Sequence, residues 1–133
     1  SDSQWYESVK PDITPPSIVF PIVWNILFFL IAISLYLSWT KIQEIKNKTK
    51  RRKQEKIIIS VFGINFILNI LWSLLFFELR LTQLAFIELL ILESSIVLMV
   101  LVTHKINKIS SYLLLPYLLW VGFAGVLNFL IAF

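Results

Sequence analysis

The chain has 133 residues, 58% of them hydrophobic, with a mean hydropathy of +0.81 and a formal net charge of +4. That is too apolar for a soluble domain of this length and places the chain among integral membrane proteins. The absence of cysteine excludes disulfides, thiolate metal sites and cysteine nucleophiles.

Residues 1–16 are polar and aromatic, with Trp5, Tyr6, Pro11, Pro15 and Pro16. They are too short and too polar to span a bilayer, so they are expected to lie as a loop or lid across the outer mouth of whatever follows. Pro15 and Pro16 are expected to begin the first span. The chain starts at Ser1 rather than methionine, which suggests processing or trimming ahead of it.

A hydrocarbon core of about 30 Å needs about 20 apolar residues to cross it as a helix. Four segments qualify, over 17–39, 57–77, 82–103 and 112–133. Short connections make the expected fold an all-α integral membrane protein, one antiparallel bundle of four spans forming a single domain over 1–133. The first span carries Trp24 and Trp39, the second Asn65, Asn69 and Trp72, and the third Glu88 and Glu93.

Between the first two spans, residues 40–56 read as a basic loop with Lys41, Lys46, Lys48, Lys50, Arg51, Arg52, Lys53 and Lys56. Lys105 and Lys108 fall on the same side of the membrane, leaving Lys10 and Arg80 on the other. The positive-inside rule then makes 40–56 and 104–111 cytoplasmic, with residues 1–16 and the C-terminus outside. The charge is therefore first a topology signal. Anionic-lipid contact is the lesser reading, and no nucleic-acid partner is expected.

The last span is the most informative. Tyr112 to Phe133 carries no charge, yet it holds Pro116, Tyr117, Trp120 and Asn128. Trp120, Ala124 and Asn128 recur at i, i+4 and i+8 and form one stripe. A polar stripe in a membrane helix faces other helices or a cavity, because hydrocarbon would leave its groups unpaired. Counting at about 1.5 Å per residue brings Trp24, Asn69, Trp72, Trp120 and Asn128 to similar depth. This predicts an aromatic-walled cavity with a few amide donors on the outer side. Each asparagine taken singly is as readily interhelical glue. Trp39 and Trp5 sit at interface depth, where aromatic belts are usual.

Glu88 and Glu93 are costly inside a membrane and so are functional candidates. They lie about 140° apart on a helix and cannot form one paired site. The bland reading of each is a protonated carboxyl hydrogen-bonded to another helix. Glu78 and Arg80 are expected to form a solvated pair. His104 is by default a solvated interfacial residue, with ligation of haem iron the lesser reading, and no metal site is expected. Gly122 and Gly125 permit close helix approach without making a GxxxG pair.

No nucleophile–base pair or phosphate-cradling glycine loop is present, so tryptophan-centred one-electron or oxygen chemistry is the remaining enzymatic possibility. Four motifs carry a resemblance through the whole chain. They are Trp5-Tyr6-x3-Lys10-Pro11-x3-Pro15-Pro16-x3-Phe20-x3-Trp24, then Asn65-x3-Asn69-x2-Trp72-x3-Phe76-Phe77, then Ala85-x2-Glu88, and last Pro116-Tyr117-x2-Trp120-x2-Phe123-Ala124-x2-Leu127-Asn128. In this order they resemble the TspO/MBR family, the tryptophan-rich sensory proteins that include the mitochondrial translocator protein, or peripheral benzodiazepine receptor.

The resemblance implies a five-helix membrane fold, commonly a homodimer, of which this chain carries four spans. The family's first helix, ahead of the Trp-Tyr loop, is missing from these residues, and the side of the pocket it covers is expected to be open to lipid or filled by another chain. The resemblance also implies binding of porphyrins, including haem and protoporphyrin, and of hydrophobic ligands such as isoquinoline carboxamides or sterols, with no obligatory cofactor. Carried over motif by motif, the ligand-binding positions are Trp5, Tyr6, Trp24, Asn65, Asn69, Trp72, Trp120, Ala124 and Asn128. Some bacterial members are reported to degrade porphyrin in light, for which Trp24 and Trp120 are the catalytic candidates here. A transporter or assembly subunit is a further alternative. The expected location is a prokaryotic cytoplasmic membrane.

Overall fold

A computed structural model describes residues 2–12 and 18–133. All regular structure among them is helical: α1 (Asp2–Val9), α2 (Val19–Ile42), α3 (Lys48–Ser73), α4 (Thr82–Ile106), α5 (Lys108–Leu113) and α6 (Leu115–Ala132). Four helical stretches are long and apolar enough to cross a membrane: Val19–Ile42, Lys48–Glu78, Thr82–Ile106 and Lys108–Ala132. The outward faces carry large apolar side chains such as Phe29, Tyr36, Phe66, Ile67, Leu101 and Leu119, each more than half exposed. Such a continuous apolar surface suits lipid, not water. The expected all-α membrane bundle is therefore the fold observed. The helix start expected at Pro15 and Pro16 lies outside the described residues.

Helix α4 is the axis of the bundle and packs against α2, α3 and α6. Its buried residues, from Ala85 through Leu92 and Ile96 to Thr103, run its whole length. The approach of α6 is set by two glycines. A Cβ on Gly125 would stand 2.9 Å from Leu89 Cδ2, and one on Gly122 would stand 3.0 Å from Glu93 Oε2. Small residues let membrane helices come together where van der Waals contact is the main attraction.

Three boundaries differ from the sequence expectation. The basic segment 40–56 is not a loop: α2 runs to Ile42 and α3 begins at Lys48, leaving residues 43–47 as the connection. Hydropathy marks only the part of a helix that lipid accepts, and Lys, Arg, Gln and Glu are strong helix formers beyond it. Asn47 caps α3 by accepting from the Lys50 backbone N–H at 3.1 Å, and the Arg51 guanidinium donates to the Ile45 carbonyl at 3.1 Å.

The second difference is in the last span, which is broken at Leu114 into α5 and α6. Pro116 has no N–H to donate to Tyr112 and its ring obstructs that carbonyl, so it sits in the first turn of a new helix. The third is at the N-terminus, where Asp2–Val9 is a helix rather than a loop.

The end of α3 also departs from α geometry. Leu74–Glu78 winds as a π-helix, closed by the Leu79 N–H on the Leu74 carbonyl at 3.0 Å. The wider turn carries one extra residue and places Leu75 and Phe76, adjacent in sequence, both in the interior. The chain then reverses through Arg80, whose φ of 54° is left-handed. Helix α1 packs on this π-turn: Trp5 meets Phe76 edge-on at 5.7 Å, and Tyr6 meets Phe77 at 5.6 Å.

Candidate ligand-binding cavity

The end of the bundle opposite the basic residues encloses a cavity of about 580 Å³. Helix α1 contributes Tyr6 and Glu7, α2 contributes Phe20, Trp24 and Phe28, and α3 with its π-turn contributes Asn69, Trp72, Ser73, Phe76, Phe77 and Glu78. Helix α6 completes the wall with Trp120, Ala124 and Leu127. The rings brace one another. Trp72 stacks on Phe76 at 5.2 Å, Phe20 meets Trp120 edge-on at 5.5 Å, and Trp24 meets Tyr117 edge-on at 6.4 Å. Such offset and T-shaped pairs each contribute about 0.5–1.5 kcal/mol beyond burial.

Of the residues singled out in the sequence, Tyr6, Trp24, Asn69, Trp72, Trp120 and Ala124 line this cavity. Trp5, Asn65 and Asn128 do not; Trp5 and Asn128 stand behind the wall and hold part of it, and Asn65 lies deeper. Trp5 backs Phe76, with the Arg80 guanidinium 5.4 Å above its ring. Asn128 accepts the Trp72 indole N–H at 3.0 Å and donates to the Thr82 carbonyl at 2.9 Å. The stripe of α6 thus divides: Trp120 and Ala124 face the cavity, and Asn128 clamps an indole of α3.

Asn65 lies deeper and belongs to a polar girdle. The Tyr117 hydroxyl donates to Asn65 Oδ1 at 3.0 Å and accepts from Asn69 Nδ2 at 2.8 Å, while Asn65 Nδ2 donates to Ser95 Oγ at 2.9 Å. Both amides of α3 are thereby tied to α6, and Asn65 also to α4. Sequence reasoning missed Tyr117 as a functional residue. The signal was its place one helical turn before Trp120 and Val121, on the inward face that continues to Ala124 and Asn128.

The charged groups sort by depth. Glu7 and Glu78 line the cavity mouth, and Glu7 pairs with Lys10 at 2.6 Å. Arg80 lies over Trp5, where the sequence suggested a solvated partner for Glu78. In α4, both carboxyl oxygens of the buried Glu88, and Oε1 of Glu93, have no hydrogen-bond partner, so the hydrogen bond to another helix expected of Glu88 is not made. Trp120 Nε1 is likewise buried and unpartnered. His104 meets Ser111 Oγ at 3.1 Å, far from the cavity. Among the described residues no group of three His, Cys, Asp or Glu side chains is placed to hold a metal ion.

The sequence profile of the TspO/MBR family matches residues 1–133. The chain belongs to the TspO/MBR family. Among its relatives, the Tryptophan-rich protein TspO of Archaeoglobus fulgidus is 36% identical over 128 residues, covering 96% of this chain and 77% of that protein. Its counterpart in Chlorobaculum tepidum is 33% identical over 131 residues, covering 97% and 78%. The Translocator protein of Bos taurus is 27% identical over 127 residues, covering 95% and 72%. The cavity described above is thus set in a membrane protein of the TspO/MBR family.

Proposed function

We propose that this protein is a membrane receptor that binds porphyrins, such as haem or protoporphyrin, and other flat hydrophobic molecules such as sterols or isoquinoline carboxamides. The observation that carries this reading is the convergence of three indoles from three spans, Trp24, Trp72 and Trp120, on one cavity of about 580 Å³. That size falls within the range of about 300–1,000 Å³ usual for small-molecule sites, which are mostly apolar with a few placed polar groups. Flat rings offer stacking surface to a planar ligand, and the unpartnered indole N–H of Trp120 is a donor that a ligand acceptor can satisfy after a small shift. Glu7 with Lys10 leaves the mouth polar, suited to the charged edge of an amphiphile. By the positive-inside rule the basic end faces the cytoplasm and the cavity opens to the outer side. The functional unit in this proposal is a homodimer.

The test is a titration of the purified protein with protoporphyrin, read by quenching of tryptophan fluorescence. Trp120→Phe is expected to weaken binding by about threefold to tenfold, through the smaller stacking surface and the lost indole N–H donor, and Asn69→Ala to weaken it as well. Unchanged affinity in both variants removes the cavity as the binding site. Because Trp24 and Trp120 both line the wall, the same sample is also followed under light and oxygen. A receptor keeps the porphyrin absorbance band, whereas loss of the band with turnover assigns breakdown chemistry to these tryptophans.

A further inference from the structure

The opposite end of the bundle holds a second cavity, also of about 580 Å³, that the porphyrin reading leaves unused. Three lysines from three helices line it: Lys41 at the end of α2, Lys50 in the first turn of α3 and Lys105 at the end of α4. Its apolar lining is aliphatic, with Ile57 and Val102 on the membrane side of the lysines and Ile42 and Ile106 level with them. The lining contains one carboxylate, Glu44, which pairs with Lys41 at 3.2 Å. Three ammonium groups against one carboxylate leave the site two positive charges in excess.

Depth identifies the setting. Lys41 lies two residues beyond Trp39 and five beyond Tyr36, both exposed on the lipid side, and such aromatic residues mark the boundary between hydrocarbon and headgroups. The lysines therefore stand at headgroup level, while Ile57, two turns past Lys50, and Val102, a turn before Lys105, lie on the acyl side of them. A basic rim above an apolar floor, set between transmembrane helices at this depth, matches an anionic amphiphile. We infer that this cavity is a binding site for the phosphate headgroup of an anionic phospholipid, whose first acyl carbons lie against Ile57 and Val102.

The test uses the full chain in zwitterionic detergent, with bound lipid counted by native mass spectrometry during titration with short-chain phosphatidylglycerol, phosphatidylcholine or inorganic phosphate. The wild-type protein is expected to prefer phosphatidylglycerol to phosphatidylcholine. Lys50→Gln with Lys105→Gln should lower phosphatidylglycerol affinity by about tenfold to thirtyfold, since each lysine near a membrane surface strengthens anionic-lipid attraction about fivefold. Lys46→Gln with Lys53→Gln removes the same charge from the same end, outside the cavity lining, and should leave the affinity within about twofold of wild type. Glutamine keeps helix propensity, and circular dichroism checks each variant. If the double variant loses helicity, Lys105→Gln alone is titrated, with an expected loss of about fivefold. Equal losses in the two double variants, or no preference for phosphatidylglycerol, would overturn the proposal. Displacement of phosphatidylglycerol by inorganic phosphate at matching concentrations would also overturn it, making the site one for a soluble phosphate.

Discussion

At the basic end of the bundle, Ile42, Ile58, Phe62, Met99 and Leu114 close into a cluster in which all but Phe62 are 1% exposed or less. At the aromatic end, Tyr6, Trp72, Phe76, Trp24 and Trp120 surround a cavity. The same four spans build both ends, so the difference lies in side-chain shape. Aliphatic and thioether chains have enough rotamers to fill the space between helices. Aromatic rings are rigid plates with few rotamers, and once braced edge-on against one another they cannot turn to fill the space beside them. The aromatic cavity is thus a property of the ring composition at one end, whereas the lysine-lined cavity at the other end lies along the edge of the packed cluster and shares Ile42 with it.

That contrast can be broken at its packed end first. Met99→Ala should lower stability by about 2–4 kcal/mol through the gap it leaves, measured by thermal unfolding in detergent, while protoporphyrin affinity stays as in wild type. A parallel fall in affinity would mean that the two ends are not independent. Tyr117→Phe strikes the girdle where they join. Loss of its hydroxyl leaves Asn65 Oδ1 and Asn69 Nδ2 without their partner and should cost about 1–2 kcal/mol, with weaker porphyrin binding as Asn69 loses its anchor while the ring contact with Trp24 stays. Stability lost without any change in affinity would separate the girdle from the cavity. The smallest effect is expected at Gly63, which is exposed on α3 with nothing within 4 Å of an added Cβ. Gly63→Ala should raise stability by about 0.5–1 kcal/mol through helix propensity alone. A drop instead would show that another chain covers this face.

Much of this arrangement was legible in the sequence. Runs of about 20 apolar residues announce spans whatever the tertiary packing, and the 65–69–72 face of α3 followed from helical periodicity. What sequence periodicity could not supply was the direction of each amide. Asn65, Asn69 and Asn128 all read as inward-facing, yet only Asn69 lines the cavity: Asn65 lies one turn deeper, between Tyr117 and Ser95, and Asn128 holds the Trp72 indole N–H. The π-turn was equally hidden. Leu74-Leu75-Phe76-Phe77-Glu78 has nothing in its composition to distinguish a π-turn from an α-turn, and the choice is made by the packing of α1 and the reversal at Arg80. Pro116 was visible, but its effect on the span depended on whether the helix kinked or restarted, and here it restarts.

The girdle of Asn65, Asn69, Tyr117 and Ser95 has one more consequence. It lies between the aromatic cavity and the packed Met99 cluster, with hydrogen bonds crossing between α3, α4 and α6. A molecule that settles against Trp24 and Trp120 meets a closed floor, and advancing further would require three interhelical hydrogen bonds to part. Among the described residues, the girdle thus stands as a hydrogen-bonded layer between the aromatic cavity and the packed cluster.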